Sequence, residues 1–191
     1  MQTFPDAPAE AMRVAQRLRA GDVAAYPTEA VMGLGCDPSN EAAVTRICVL
    51  KQRAVAQGVL LIAADFAQVA PYIDMTQVPQ VALERVLASW PGPFTWIFPR
   101  SAQVPAWISG RHSGIALRVT AHAGAAALCR AFGGALVSTS ANPHGRPAAR
   151  TASEVLSYFP EGIDVLVDGA VGGLAKPSEI RNALTGEIVR G

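Results

Sequence analysis

Short apolar runs alternate with helix-periodic stretches along the whole chain, and this alternation restricts the fold more than any other feature. Extended runs are expected at residues 23–26, 59–63, 94–98, 115–119, 136–138 and 164–167. Between them lies a first helix capped by Asp6, with Val14 and Leu18 inward, Arg13, Arg17 and Arg19 outward, and Gly21 at its end. Asn40 caps a second helix that puts Val44, Ile47, Cys48 and Lys51 on one face. Further helical patterns fall at 65–70, 81–90 and 123–132, and Thr151 with Glu154 forms a capping box for a late helix. The tail ends in two short extended pieces, 178–181 and 187–190. The expectation is an α/β sheet with helices packed on it, in one domain spanning 1–191, with no repeat, linker or low-complexity segment.

Half of the 191 residues are hydrophobic and 16% are charged, enough apolar material for a sizeable core. The net charge of +1 disfavours a broad cationic face for nucleic acid, although local basic patches are compatible with it. Cys36, Cys48 and Cys129 are scattered without a CxxC or Cys/His grouping, which excludes a zinc knuckle and fits a reducing compartment. With no signal-like start and no apolar run of membrane-spanning length, a cytoplasmic protein is expected.

The chain has no Walker A loop, GxGxxG, HExxH or GxSxG. Chemistry therefore has to be sought in less familiar places. Lys51-Gln52-Arg53 supplies two cations at a helix end, and Ser138-Thr139-Ser140-Ala141-Asn142 supplies hydroxyls and an amide after a buried strand. Together they suit two walls of a phosphate-binding cleft. Separately they suit helix-dipole complementation and a polar turn. Residues 26–35, containing Pro27-Thr28-Glu29 and two glycines, follow the first inner strand, where ligands of open α/β sheets gather. Arg118 sits inside an apolar run and needs an anionic partner if buried, or an outward position if not. Trp90, Trp96 and Trp107 suit core or rim packing better than a base-stacking platform.

The order Pro27-Thr28-Glu29, Lys51-x-Arg53, Ser140-x-Asn142 and Pro177-Ser178-Glu179-Ile180-Arg181 resembles the YrdC/TsaC family of threonylcarbamoyl-AMP synthases, in its short bacterial form, over residues 11–190. The resemblance implies a twisted, mostly parallel and partly antiparallel sheet flanked by helices, with a large concave cleft. It implies condensation of L-threonine, bicarbonate or CO2, and ATP with Mg2+ to L-threonylcarbamoyladenylate and pyrophosphate. A separate transferase complex would then modify a tRNA adenosine beside the anticodon, and direct tRNA contact is left open.

By the same resemblance Thr28, Arg118, Ser138 and Ser178 hold threonine, while Lys51, Arg53, Ser140, Asn142 and Arg190 meet ATP. Lys51, Arg53, Ser140 and Asn142 form the catalytic group, and no protein metal site is implied. Three positions depart from the family pattern. Met32 replaces an aromatic residue, with an expected effect on the pocket wall, and Ala54 replaces a proline, with an expected loosening of the loop after Arg53. A histidine of longer relatives is missing from Leu60-Leu61-Ile62-Ala63. The runner-up function is an RNA-binding module using Arg111, Arg146, Arg150 and Lys176, and carbamoyl-adenylate formation is a second enzymatic alternative.

Overall fold

In the computed structural model, which describes residues 1–5, 7–175 and 178–190, helices and strands follow the expected alternation. The chain begins with a strand the sequence reading did not anticipate, β1 (Gln2–Pro5), then α1 (Pro8–Arg19). Asp6, the expected cap, lies outside the described residues. Strand β2 (Ala24–Pro27) turns back into a second unanticipated strand, β3 (Met32–Gly35). Its glycines resemble a loop, but Gly35 is where two strands approach closely: a Cβ there would lie 2.4 Å from the Val137 carbonyl.

Helix α2 (Glu41–Leu50) starts at Asn40, whose side chain accepts from the Ala43 N–H. It is followed by β4 (Leu60–Ala63), α3 (Phe66–Val69), α4 (Gln80–Leu87), β5 (Phe94–Pro99), α5 (Ala106–Ser109) and β6 (Gly114–Val119). Next come α6 (Ala123–Phe132) and β7 (Leu136–Ser140), which runs two residues further than expected and takes Thr139 and Ser140 into the sheet beside Ser138. Helix α7 (Ala152–Tyr158) carries the Thr151–Glu154 capping box, and β8 (Val165–Asp168), β9 (Glu179–Asn182) and β10 (Ile188–Arg190) complete the chain.

The strands form one ten-stranded sheet in the order β1-β8-β2-β3-β7-β4-β6-β5-β9-β10. Five neighbouring pairs are antiparallel and four parallel, so the expected mostly parallel sheet is corrected to an evenly mixed one. The physical reason is the β2–β3 hairpin and the insertion of β7 between β3 and β4, which impose antiparallel neighbours.

Side-chain alternation divides the core. Leu34, Leu61, Leu117 and Val137 pack with Val44 and Ile47 of α2, Val86 of α4, Ile108 of α5 and Val155 of α7. Tyr26, Ile62, Leu136 and Val165 pack with Val14 and Leu18 of α1 and Leu128 of α6. Each such fully buried side chain contributes roughly 1.5–3 kcal/mol by leaving water. Trp90 and Trp96 also lie buried, as expected.

Ile62 faces both Leu136 and Arg118 across the ladders, and Leu60 faces Ser138. The face covered by α1 and α6 at one end thus continues as Leu60, Ser138, Ala116, Arg118, Thr95 and Ile180 at the other. There it forms the floor of a cavity of about 990 Å³.

Candidate active site

Eight of the nine sequence-predicted site residues line this cavity: Thr28, Arg53, Arg118, Ser138, Ser140, Asn142, Ser178 and Arg190. Lys51 alone stands behind the wall. Arg53, Arg118, Arg190 and His112 are its ionisable lining, and no Asp or Glu joins them among the described residues. Such a lining favours anionic ligands.

The Lys51-x-Arg53 spacing is a helix ending. Lys51 is the C-cap of α2, and Gln52 has a left-handed φ of 53°. The Gln52 N–H donates to Val49 O at 3.0 Å and the Arg53 N–H to Cys48 O at 2.9 Å, the bond pair of a Schellman motif with Gln in the usual glycine position. The reversal sends the two cations in different directions. Neither side chain is spent on dipole complementation along α2.

Lys51 is only 5% exposed. Its Nζ donates to Ser140 O, to Asn142 O at 3.0 Å and to Asn142 Oδ1 at 3.1 Å, while its backbone carbonyl accepts from the His144 N–H at 2.9 Å. An ammonium has three donors, and all three are occupied here. In this structure Lys51 clamps the 140–144 turn. Burial, reinforced by the positive charge of Arg53, lowers the Lys51 pKa from 10.5 to about 8. The Ser140 hydroxyl donates to Asn142 Oδ1 at 2.6 Å, and the Asn142 amide donates to Arg146 O at 2.7 Å, which closes the turn.

Arg53 is held by Gln57 O at 3.2 Å and Gly58 O at 2.7 Å, and its buried Nε has no partner. Burial lowers its pKa, and the positive charge of Arg190 adds to that. Both arginines line the cavity. Ala54 has φ −67°, which a proline would share, so the family's usual residue fits the same backbone. Contrary to expectation Met32 does not shape the pocket wall: it is fully buried in the core, because its neighbour Gly33 takes the cavity-facing position of β3.

Arg118 is 6% exposed on a strand flanked by β4 and β5, which removes the edge-strand alternative. Its partner is Glu29: Arg118 Nη2 lies 3.4 Å from Glu29 Oε2. The Thr28 hydroxyl donates to Val31 O at 2.7 Å, and Ser178 Oγ lies 3.1 Å from Thr95 Oγ1. Sequence reasoning quoted Glu29 within a motif but missed its role, and it missed Thr95 altogether. A buried threonine two residues from Ile97 on one strand face was the available signal for the latter. Pro177 and Lys176 lie outside the described residues. Arg111, Arg146 and Arg150 do not line the cavity, so the basic concavity of the RNA-binding alternative is not built from them.

Resident Mg2+ does not fit this lining. Hydroxyls of Ser138, Thr139 and Ser140 are present, but the carboxylate that protein Mg2+ sites use is missing among the described lining residues. No group of three His, Cys, Asp or Glu suitable for a metal occurs among the described residues. No described helix is long and apolar enough to cross a membrane.

The Sua5/YciO/YrdC family model, described as telomere recombination, matches residues 16–191. A threonylcarbamoyl-AMP synthase of Halorhodospira halophila is 52% identical over 96% of this chain and 95% of its own length. One of Stenotrophomonas maltophilia is 51% identical over 91% and 93%, respectively. Among solved structures, P. abyssi Sua5 complexed with L-threonine superposes with a TM-score of 0.86 at 29% identity, covering 94% of this chain. The chain spans about half the length of that protein, 52%. E. coli YciO shares the fold, with a TM-score of 0.83 at 24% identity over 100% of this chain and 97% of its own.

Proposed function

Since the chain belongs to the Sua5/YciO/YrdC family, we infer that it is an L-threonylcarbamoyladenylate synthase. It condenses L-threonine, bicarbonate or CO2, and ATP to L-threonylcarbamoyladenylate and pyrophosphate. One observation carries the site assignment: a single cavity is lined by an arginine paired with a carboxylate, by two further arginines, and by no acidic residue among the described ones.

Arg118 receives the threonine carboxylate through its uncommitted guanidinium donors, with Thr28, Ser138 and Ser178 around the rest of the amino acid. The amine, having lost one proton to solvent, attacks the carbon of CO2 as a C=O electron pair moves onto oxygen, and loss of a second N–H proton to solvent gives the N-carboxylate. A carboxylate oxygen then attacks the ATP α-phosphorus, and the bond to the bridging oxygen breaks as pyrophosphate leaves with its electron pair. No protein atom becomes covalently bonded. Arg53 and Arg190 offset the triphosphate charge, while Ser140 and Asn142 present short polar groups beside it. Catalysis rests on placement and electrostatics. Magnesium enters this reading only as part of the metal–nucleotide substrate.

A cytoplasmic setting and hand-over to a tRNA-modifying transferase complex belong to the same proposal. The three buried free cysteines, whose thiols burial pushes above their usual range, support the former.

The test is pyrophosphate release by the purified protein with Mg·ATP. Release is expected only when threonine and bicarbonate are both present. Release independent of threonine, or none at all, sinks the synthase reading.

Lys51 gives this activity a pH signature. Deprotonation near pH 8 removes one of three donors that hold the 140–144 turn, so turnover is expected to decline as pH rises through about 8. Stability has the opposite sign. Below pH 8 the ammonium is charged in folded and unfolded chains alike and its burial cost is fully present. Between about 8 and 10.5 only the unfolded chain keeps the proton, so this group's contribution to stability rises with pH. Comparing pH profiles of turnover and of thermal midpoint with those of Lys51→Met isolates both effects. An alkaline limb unchanged in Lys51→Met assigns it to another group.

A further inference from the structure

We propose that Glu29 is a positioning residue for threonine, acting through Arg118; this rests on the synthase reading above. Glu29 is 8% exposed and does not line the cavity, so it does not meet the ligand itself. Its two oxygens have different tasks. Oε1 accepts from the Thr120 hydroxyl at 2.7 Å and from the Ala121 N–H at 3.1 Å, and Thr120 Oγ1 in turn accepts from the His122 N–H at 3.2 Å. Oε2 has no hydrogen-bond partner and faces Arg118 Nη2. The carboxylate is thereby locked in place by the segment between β6 and α6 and left with one free edge for the arginine.

The Glu29 backbone is locked as well. Gly172 N–H donates to Thr28 O at 2.8 Å and Leu174 N–H to Glu29 O at 3.3 Å. A Cβ on Gly172 would lie 2.5 Å from Glu29 O, so the 172–174 segment lies directly on the motif.

Arg118, by contrast, is under-committed. A guanidinium has five donors in a fixed fork. Its Nε is buried without a partner, and Glu29 is its ion-pair partner among the described residues. A cation held at one corner, with further donors on the cavity side, suits a second carboxylate approaching from the cavity. Glu29 fixes the plane and direction in which that second carboxylate must arrive. Its charge also makes the buried position of Arg118 tolerable when threonine is not bound.

The test is a double-mutant cycle on threonine- and bicarbonate-dependent pyrophosphate release. Glu29→Gln is expected to raise the threonine KM by roughly tenfold, the scale found for partners that orient a liganding group, with the ATP KM nearly unchanged. In the Arg118→Ala background the same substitution should add nothing further, because the group it acts through is gone. Thr120→Val removes the hydroxyl bonded to Oε1 and keeps the bulk and the ion pair. It should raise the threonine KM in the same direction but less, and it decides the matter if Glu29→Gln does not fold. An effect of Glu29→Gln that persists undiminished beside Arg118→Ala, or equal rises in both KM values, overturns the proposal. So does an unchanged threonine KM in Thr120→Val. A wild-type protein without threonine-dependent release instead removes the synthase reading on which the proposal stands.

Discussion

Arg118→Ala is expected to raise the threonine KM by roughly 10²–10⁴-fold, since two charge-assisted hydrogen bonds at about 1.5–3 kcal/mol each are lost and about 1.4 kcal/mol is a tenfold change. The ATP KM should move little, because the nucleotide is assigned to Arg53 and Arg190, which line the same cavity. The substitution also strands Glu29, and one buried charge left without its partner costs about 3–5 kcal/mol of stability. Thermal unfolding must therefore accompany the kinetics, and the midpoint should recover when Glu29→Gln is added to Arg118→Ala. Equal rises in the threonine and ATP KM values would take Arg118 out of the amino-acid subsite.

Lys51→Met is the second large effect. The nearly isosteric side chain keeps packing but removes all three bonds from Nζ to Ser140 and Asn142. Misplacing this turn is expected to lower kcat about 100-fold, the size of effect that follows an ångström-scale shift of a positioned group. Stability should change far less than activity, because the variant also loses the cost of burying an ammonium. A near-wild-type kcat would show that the turn holds itself through Ser140 and Asn142. Arg53→Ala gives the contrast: it should act chiefly on the ATP KM, since Arg53 lines the cavity.

Much of this was legible in the residues. Helices with a polar cap, such as those starting at Asn40 and Thr151, lie where side-chain chemistry put them. The β3 strand was not legible, because Met32-Gly33-Leu34-Gly35 has glycines where the sheet needs empty space: Gly35 against Val137 and Gly33 against Thr28 and Ser138. Local propensity cannot separate a glycine that turns from one that makes room. The same limit applied to Glu29. Its position beside Thr28 was visible, but the partners that define its task come from β6 and the segment between β6 and α6, some ninety residues away. Lys51 was placed correctly at a helix end, but its bonds to the 140–144 turn were not legible, because they join segments some ninety residues apart.

The left-handed backbone angle at Gln52 ties the spacing of the motif to the end of the helix. The interval between Lys51 and Arg53 is set by the ring sizes of two backbone hydrogen bonds, those reaching back to Val49 and Cys48, rather than by the dimensions of a nucleotide. Inserting a residue would let the helix run on and carry both cations round its surface like any basic pair. The two-letter interval in the sequence is a punctuation mark, and its information lies in where it forbids the helix to continue.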